Sequence, residues 1–487
     1  MGSRRLMPLF GGIELPGHPD LSNIQKLDLL PLPAIGRMQR MGIAIDPEWF
    51  ADLSSRIAIR MEDLRKDITT YLPPEMLEEF VSESGDDLEF NVNSAPQIAK
   101  LLFEKLKIGS GVRLKPTKSG GRLSTGKKQL ETLKRFHPVI PKILDYREHS
   151  KLKSTYTDAL PKLARLHTRG NCVLCGRRHY RDHLRIHTSI LTTRTDTGRL
   201  ASKRPNLQNI PARSSLGREV RKGFIATEGM RLVTADYSQI EMRFLAHCAV
   251  EKNLLRIFAN HLDPHTDTAM RAFNLSYEEV TSETGKLLYR APCKNVNFGI
   301  CYGLAAQGLF DLMAVTYATA GIDLPDFIDL GWCEAFIDQW FELYPDASAY
   351  FEEQHYRARR YELVWTLFGR VRRVPEVRSV HDRIQAAGLR QAGNLPIQGV
   401  AGDVFKIGMS RAHARMELLR ESGMDTELLL PVHDELVSEC DEESADVVTG
   451  AVVWEMSQAM TDIETKELRC RVTMDADGKD MERWTKG

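Results

Sequence analysis

Leu232-Val233-Thr234-Ala235-Asp236-Tyr237-Ser238-Gln239-Ile240-Glu241 is the stretch on which the fold turns. An apolar, β-branched run stops on an aspartate and passes straight into an amphipathic pattern marked by Ile240, Phe244 and Leu245. That order predicts a strand followed by a helix, with a carboxylate presented at the rim of a sheet. A second carboxylate of the same kind stands in Val432-His433-Asp434-Glu435-Leu436-Val437, where one strand arrives at His433-Asp434 and another leaves. Two strand-end aspartates in one sheet can share divalent ions. The residues between them then read as an insertion that brings a substrate to those ions.

The rest of the chain sets bounds on this reading. A length of 487 residues exceeds one simple core and suggests roughly two to four subdomains. Hydrophobic and charged shares of 42% and 27% are those of an ordinary globular protein. No apolar run approaches the length of a membrane span, so no membrane partner is expected. The start, Met1-Gly2-Ser3-Arg4-Arg5-Leu6-Met7-Pro8, is basic, but its apolar part is broken too early for a signal peptide. The cysteines are scattered apart from the Cys172/Cys175 pair, which argues for a reducing compartment. The expected location is therefore cytoplasmic, in a bacterium or a phage-infected host. Net charge is zero, yet residues 147–222 hold 18 Lys/Arg against 5 Asp/Glu. Such a band is either a solvated surface or, just ahead of Asp236, a track for a phosphate backbone.

Residues 1–26 read as a tail rich in Gly, Pro and small polar residues. A long helix is expected from Pro47 to about Leu72, and Ser94-Ala95-Pro96-Gln97 reads as a capping box opening a helix over 98–106. The Gly- and Lys-rich loop 107–123 suits either a basic loop riding on nucleic acid or a plain disordered one. After residue 245 the pattern is mostly helical to about 390. The end is α+β: a helix over 402–420, the hairpin at His433-Asp434, a helix over 443–460 and a last strand at Arg469-Cys470-Arg471-Val472.

Two constellations carry chemistry. Cys172-Val173-Leu174-Cys175, followed by His179, His183 and His187, offers ligands for tetrahedral zinc. The expected set is Cys172, Cys175, His179 and His183, with His187 as a substitute, in a spacing nearer a zinc knuckle than a two-Cys, two-His finger. The plain alternative is a basic loop with incidental Cys and His. Farther on, Arg290, Lys294, Phe298 and Tyr302 recur every four residues, aligning two cations and two rings on one helical face. That face fits a triphosphate whose base stacks farther along. Taken alone, it is also the pattern of an ordinary amphipathic helix.

The constellations do not stand alone. The run from Asp236 to Glu241, then Arg290 with Lys294, Asn297-Phe298-Gly299 and Tyr302-Gly303, then Val432-His433-Asp434-Glu435 resemble, in order, motifs A, B and C of the family A DNA polymerases, the bacterial DNA polymerase I type. Thr197-Gly198-Arg199-Leu200, the stretch from Pro205 to Pro211, Lys151 to Tyr156 and Leu395-Pro396-Ile397-Gln398-Gly399 are similar to further stretches of that family. The likeness runs from about Leu27 to the end.

The resemblance implies an α+β right-hand polymerase fold with a helical thumb, an antiparallel-sheet palm and helical fingers. The expected divisions are a thumb over 27–190 with a Cys/His insert at about 167–187, a first palm part over 191–245, fingers over 246–390 and a second palm part over 391–487. It implies primer-template DNA and dNTPs as partners, a monomeric chain with replisome partners undefined, and template-directed addition of deoxynucleotides to a primer 3′ end. Two Mg²⁺ ions would lie on Asp236, Tyr237 and Asp434, and Lys294 would join the two aspartates in catalysis. By the same resemblance Arg290, Lys294, His265, Phe298, Tyr302, Gln239 and Glu241 would bind the nucleotide, Glu241 as a steric gate against a ribose 2′-hydroxyl. Arg199, Asn209, Arg390, Asn394, Gln398 and His433 would contact DNA. Glu435 would be near the metals but secondary. A catalytically silent DNA-binding relative and a specialised lesion-bypass polymerase are the alternatives.

Three features depart from the family pattern. Pro292 stands between Arg290 and Lys294, so this helix either starts near Tyr289 or bends at its basic end. The Cys/His insert interrupts the passage from thumb to palm. A proofreading exonuclease domain would need on the order of 150–200 residues ahead of the thumb; only the tail stands there, so neither it nor a 5′ nuclease is expected in this chain.

Overall fold

The computed structural model of the chain describes residues 22–80, 90–109, 121, 123–179, 181–211, 214–301, 303–319, 322–461 and 470–485. Residues 1–21 and most of the loop 107–123 lie outside them, and residues 22–26 of the expected tail belong instead to the helix Ser22–Leu29.

The helix Leu32–Met41 lies on the central sheet, and Arg37 forks onto the fully buried Glu427 there, with Nε 3.0 Å from each carboxylate oxygen. Strand β1 (Ile43–Ile45) follows, and then the long helix Pro47–Thr69. Asp46 caps that helix by accepting the Trp49 N–H, and Pro47 fills a first-turn position that has no use for an N–H. Phe50, Leu53, Ile57, Leu64 and Ile68 form its buried stripe, packed against the helix Val139–Leu152. The far end of this pair has its own apolar cluster, which includes Ile68, Met76, Ile98, Leu130 and Ile140. Ser94 does accept the Gln97 N–H, but the Gln97 side chain turns to the Asn91 N–H, so the expected capping box is a single cap.

A three-stranded antiparallel sheet forms the base of this helical arm: β1, β2 (Arg165–His167) and β5 (His183–Ile186), in the order β1-β5-β2. Between β2 and β5 a small hairpin, β3 (Gly170–Asn171) with β4 (Arg178–His179), carries the Cys172/Cys175 turn. A ribbon of β6 (Ser189–Leu191) and β7 (Ala201–Lys203) leads to β8 (Met230–Tyr237). The insertion after β8 is helical, from Ile240–Ala249 through Pro345–Tyr361, with one hairpin that periodicity did not reveal: β9 (Leu363–Trp365) and β10 (Val371–Arg373).

The expected helix over 402–420 begins much earlier, as Asp382–Glu421, a single helix of 40 residues. Pro396 and several glycines weaken its local signal, and burial of the segment from Ala392 to Met409 overrides them. It leads into β11 (Thr426–Val432) and β12 (Glu435–Asp441), and the helix Ala445–Ser457 precedes β13 (Ala476–Met481). The last strand is therefore not at Cys470-Arg471-Val472, and Arg469 of that expectation lies outside the described residues. β13 reads Ala-Asp-Gly-Lys-Asp-Met, a polar edge strand with almost no apolar alternation to find.

The central sheet has the order β11-β12-β8-β13, antiparallel throughout. Alternation along β8 divides its two faces. Val233, Ala235 and Tyr237 join the cluster of the long helix and Ala445–Ser457, whereas Leu232 joins the cluster under the helical arm, with Phe50, Phe224, Val437 and Trp484. Asp236 shares the Leu232 side. Among the described residues no helix is long and apolar enough to cross a membrane.

Candidate active site

The register of β8 and β12 sets Glu435 opposite Asp236, so the turn His433-Asp434 closes the sheet at the same end. His433 takes a left-handed conformation (φ 57°) at the tip, and the Tyr237 N–H donates to the Asp434 carbonyl at 3.2 Å. Asp236 and Asp434, 198 positions apart in sequence, are thereby neighbours, each half-buried. Asp477 on β13 pairs with Asp236 from the other side and is exposed. It belongs to the polar edge strand, which gave no sequence signal. Tyr237 faces away: its hydroxyl donates to the Met456 carbonyl at 2.7 Å, and burial pushes the phenol pKa up. As a metal ligand Tyr237 has only its backbone carbonyl to offer, because its side chain is engaged in the core. Glu435 is also tied down, accepting from Trp484 Nε1 at 3.0 Å with Arg221 3.6 Å away.

Arg199 lies across this end of the sheet. Its guanidinium pairs with the buried Glu241 and reaches Asp434 Oδ1 at 3.5 Å. The loop carrying it presses on the long helix at Gly402, where an added Cβ would meet the Arg199 backbone at 3.2 Å. The residue expected at DNA is thus held among the carboxylates. Other members of the basic band have internal partners too: Lys153 with Asp158, Arg185 with Glu439 and Arg221 with Glu435.

The insertion brings a second group of residues together. Asp263 caps the helix Pro264–Phe273, and its carboxylate accepts the Thr266 N–H at 2.9 Å, Arg290 Nε at 2.8 Å and Gln239 Nε2 at 3.3 Å. Burial opposes ionisation there, but hydrogen bonds from Arg290 and Thr266 hold the carboxyl at about 2. Asp263, absent from the sequence reading, is therefore what joins Gln239 to Arg290. His265, two residues along, is lowered to about 4, chiefly by burial and then by Arg290 and Lys294 against the pull of Asp263. The Asn297 amide nitrogen lies 3.0 Å from His265 Nδ1, and Trp340 Nε1 donates to the Asn297 carbonyl oxygen at 2.6 Å, which fixes the amide. A donor at Nδ1 leaves the proton of the neutral ring on Nε2. Phe298 stands 5.2 Å from the His265 ring, and Lys294 is exposed on the same helix. Tyr302 lies outside the described residues.

Pro292 causes no break. The chain is helical without interruption from Glu283, through the π turn Lys286–Arg290, into Ala291–Cys301, so the proline lies inside the helix just past the π turn, whose altered register accommodates its missing N–H. Arg390, Asn394 and Gln398 share one face of the long helix, Arg390 exposed and the other two half-buried. Arg390 abuts Gly303, where an added Cβ would come within 2.7 Å of its own. Asn209 is exposed, with its carbonyl held by the Tyr156 hydroxyl at 2.7 Å.

The Cys/His insert also gathers, with one exchange. Cys172, Cys175 and His179 converge, but the fourth member is His167, not His183. His183 Nδ1 faces the Arg181 carbonyl at 3.2 Å and Nε2 accepts from Arg185 Nε at 2.9 Å, so both ring nitrogens are engaged. His187 lies behind His167. The expectation looked only downstream of the cysteine pair, whereas His167 precedes Cys172 by five residues.

An antiparallel sheet with two aspartates at one hairpin end, a helical insertion bearing cations and a helical arm define the right-hand class of polymerase fold. A solved structure described as the POL domain of Pol1 from M. smegmatis in complex with DNA primer-template and dNTP is similar, with a TM-score of 0.75 and 28% identity over 95% of this chain and 71% of that one. The model of DNA polymerase family A matches residues 53–486, and the chain belongs to that family. The thermostable DNA polymerase I of Thermus aquaticus is 36% identical over 86% of this chain and 44% of its own length. For DNA polymerase I of Bacillus subtilis the figures are 34%, 92% and 45%. The chain thus spans less than half the length of these relatives.

Proposed function

We propose that the chain is a DNA-directed DNA polymerase that adds deoxynucleotides to a primer 3′ end on a template strand, with the palm aspartates as its catalytic centre. The observation that carries this is the adjacency of Asp236 and Asp434, fixed by the β8–β12 register at a half-exposed sheet end beside Arg199. In this reading residues 27–190 serve as thumb, 246–390 as fingers, and 191–245 with 391–487 as palm.

The donor set suits Mg²⁺, a hard cation that takes carboxylate and carbonyl oxygens and keeps places for water and phosphate. Asp236 and Asp434 would hold two such ions with the Tyr237 carbonyl. When bound they would supply activation of the primer hydroxyl and neutralisation of the leaving pyrophosphate. Arg290, kept in place by Asp263, Lys294 and the His265 Nε2–H would take the triphosphate oxygens. Phe298 and Glu241 would bound the sugar, with Glu241 held under Arg199 where a 2′-hydroxyl would project. Gln239, through Asp263, couples the turn after β8 to the nucleotide side. Asn209, Arg390, Asn394, Gln398 and His433 would line the primer-template, with Arg199 between the DNA and the carboxylates. Zinc is a separate, structural part of this reading, in the Cys/His insert.

Primer extension with Mg²⁺ and dNTPs tests the proposal. Extension is expected from the native chain and not from Asp236→Ala or Asp434→Ala, while all three bind primer-template with similar affinity. A silent DNA-binding relative would show binding without extension in every form.

A further inference from the structure

We infer that His167, Cys172, Cys175 and His179 form a tetrahedral zinc site that locks the base of the thumb, and that His187 orients it from behind. This deepens the zinc part of the proposed function and is independent of the polymerase part. The four ligand atoms lie within 4.8 Å of one another on buried residues. Cys175 Sγ is 3.0 Å from His179 Nε2, and Cys172 Sγ is 3.4 Å from His167 Nδ1. One ion with bonds of about 2.0–2.3 Å reaches such a group with small side-chain adjustments.

The turn is closed by its own backbone and directs N–H groups at its sulfurs. Gly176 sits in the left-handed region (φ 74°) and its N–H donates to the Cys172 carbonyl at 2.8 Å, closing the Cys-Val-Leu-Cys turn. Backbone N–H groups of Cys175, Leu174 and Thr168 are directed at the Cys172 sulfur, and that of Arg177 at Cys175. Val173 at the tip is 97% exposed, whereas Cys172 and Cys175 point inward to the cluster that includes Leu160 and Ile186. Neither cysteine is in a disulfide.

A relay behind the cluster sets the histidine tautomers. His187 Nδ1 lies 2.9 Å from the Gln39 carbonyl, which can only accept, so Nδ1 carries the proton and Nε2 is an acceptor. His167 Nε2 is 3.0 Å from that acceptor and donates to it. The proton of His167 is therefore on Nε2, and the Nδ1 lone pair faces the sulfurs. A metal-bound imidazole is normally oriented by such a second hydrogen bond. Gln39 belongs to the helix lying on β11, and Arg177 and Arg185, from the same insert, reach Glu439 on β12. The site thus joins the insert to the sheet from two sides.

The test is metal analysis of the full chain purified without chelators, followed by cobalt(II) exchange monitored by absorption. One zinc per chain and a thiolate-to-cobalt charge-transfer band of tetrahedral type are expected. Cys172→Ser and His167→Ala should lose both, His183→Ala should keep both, and His187→Ala should bind zinc on the order of 10–100-fold more weakly in competition with a chelator. Absence of zinc together with no cobalt band in the native chain overturns the site. Retention by His167→Ala with loss in His183→Ala overturns the ligand set, and unchanged affinity in His187→Ala overturns the relay. Primer extension is measured on the same preparations, so that failure of the polymerase reading is seen separately.

Discussion

The two ends of the β8–β12 pair carry carboxylates in opposite circumstances. At one end Asp434 keeps 22% of its side-chain surface and stands beside Asp236, with the Arg199 guanidinium reaching it at 3.5 Å. At the other, Glu439 lies opposite Leu232 with 1% exposed, enclosed by Arg185, Arg177 and the Thr227 N–H and hydroxyl. Burial alone would raise the Glu439 pKa, but Arg185 and Arg177 bring it down to about 2. The same strands therefore leave one carboxylate set open to solvent, where the proposed metal ions would sit, and enclose another between the Cys/His insert and the sheet. What separates them is solvent access, not residue type.

The largest test of this contrast is at the binding end. Asp236→Ala or Asp434→Ala should lower the extension rate by roughly three orders of magnitude or more, about 4 kcal/mol of barrier. Thermal unfolding should scarcely change, because neither carboxylate is enclosed. A matching drop in melting temperature would make these aspartates structural and erase the distinction.

The far end should answer in the reverse sense. Glu439→Gln leaves the fully buried Arg185 without its counter-charge, while Arg177 keeps Asp425, and this destabilises by roughly 3–5 kcal/mol, read as a shift in denaturant midpoint. The folded fraction should still extend primers. The pH dependence has a definite sign. Glu439 has a folded pKa of about 2 against an ordinary 4.5, so its contribution is fully present above pH 4.5 and fades as the pH falls toward 2. The loss over that window is roughly 3 kcal/mol and should disappear in Glu439→Gln.

An intermediate case is Glu241, buried like Glu439 but paired with the partly exposed guanidinium of Arg199 beside Asp434. Glu241→Ala should ease ribonucleotide incorporation by on the order of 10–100-fold, within the range a single pocket contact supplies. Competition between ribo- and deoxynucleotides in single-turnover extension measures it. Unchanged sugar selectivity would place Glu241 with the structural carboxylates.

How much of this was legible depends on where each signal lies. Asp236 and Asp434 were readable because an apolar strand ends on each, and the pairing of those strands brings them together. Cys172, Cys175 and His179 were readable because metal ligands on one turn are close in sequence. His167 is as near, five residues ahead of Cys172, but the expected pattern ran only downstream of the cysteine pair. Asp263 looked like any helix cap, and only the folded chain shows Arg290 and Gln239 converging on it. Asp477 sits on an edge strand whose solvent exposure leaves no apolar period. Pro292 seemed to threaten the nucleotide-binding helix because the π turn before it cannot be anticipated from propensity.

The smallest expected effect divides a backbone from its own side chain. Tyr237 adjoins Asp236, yet its hydroxyl is donated to the Met456 carbonyl inside the helical layer. Tyr237→Phe removes that hydrogen bond and leaves the Met456 carbonyl without it, a loss of about 1 kcal/mol, visible as a small fall in melting temperature. The carbonyl of residue 237 is untouched, so the Mg²⁺ dependence of extension should be the same as in the native chain. If instead the Mg²⁺ requirement rises while stability holds, the ring must leave the core during the reaction. The division between the binding face and the packed face of β8 would then be a property of one conformation rather than of the fold.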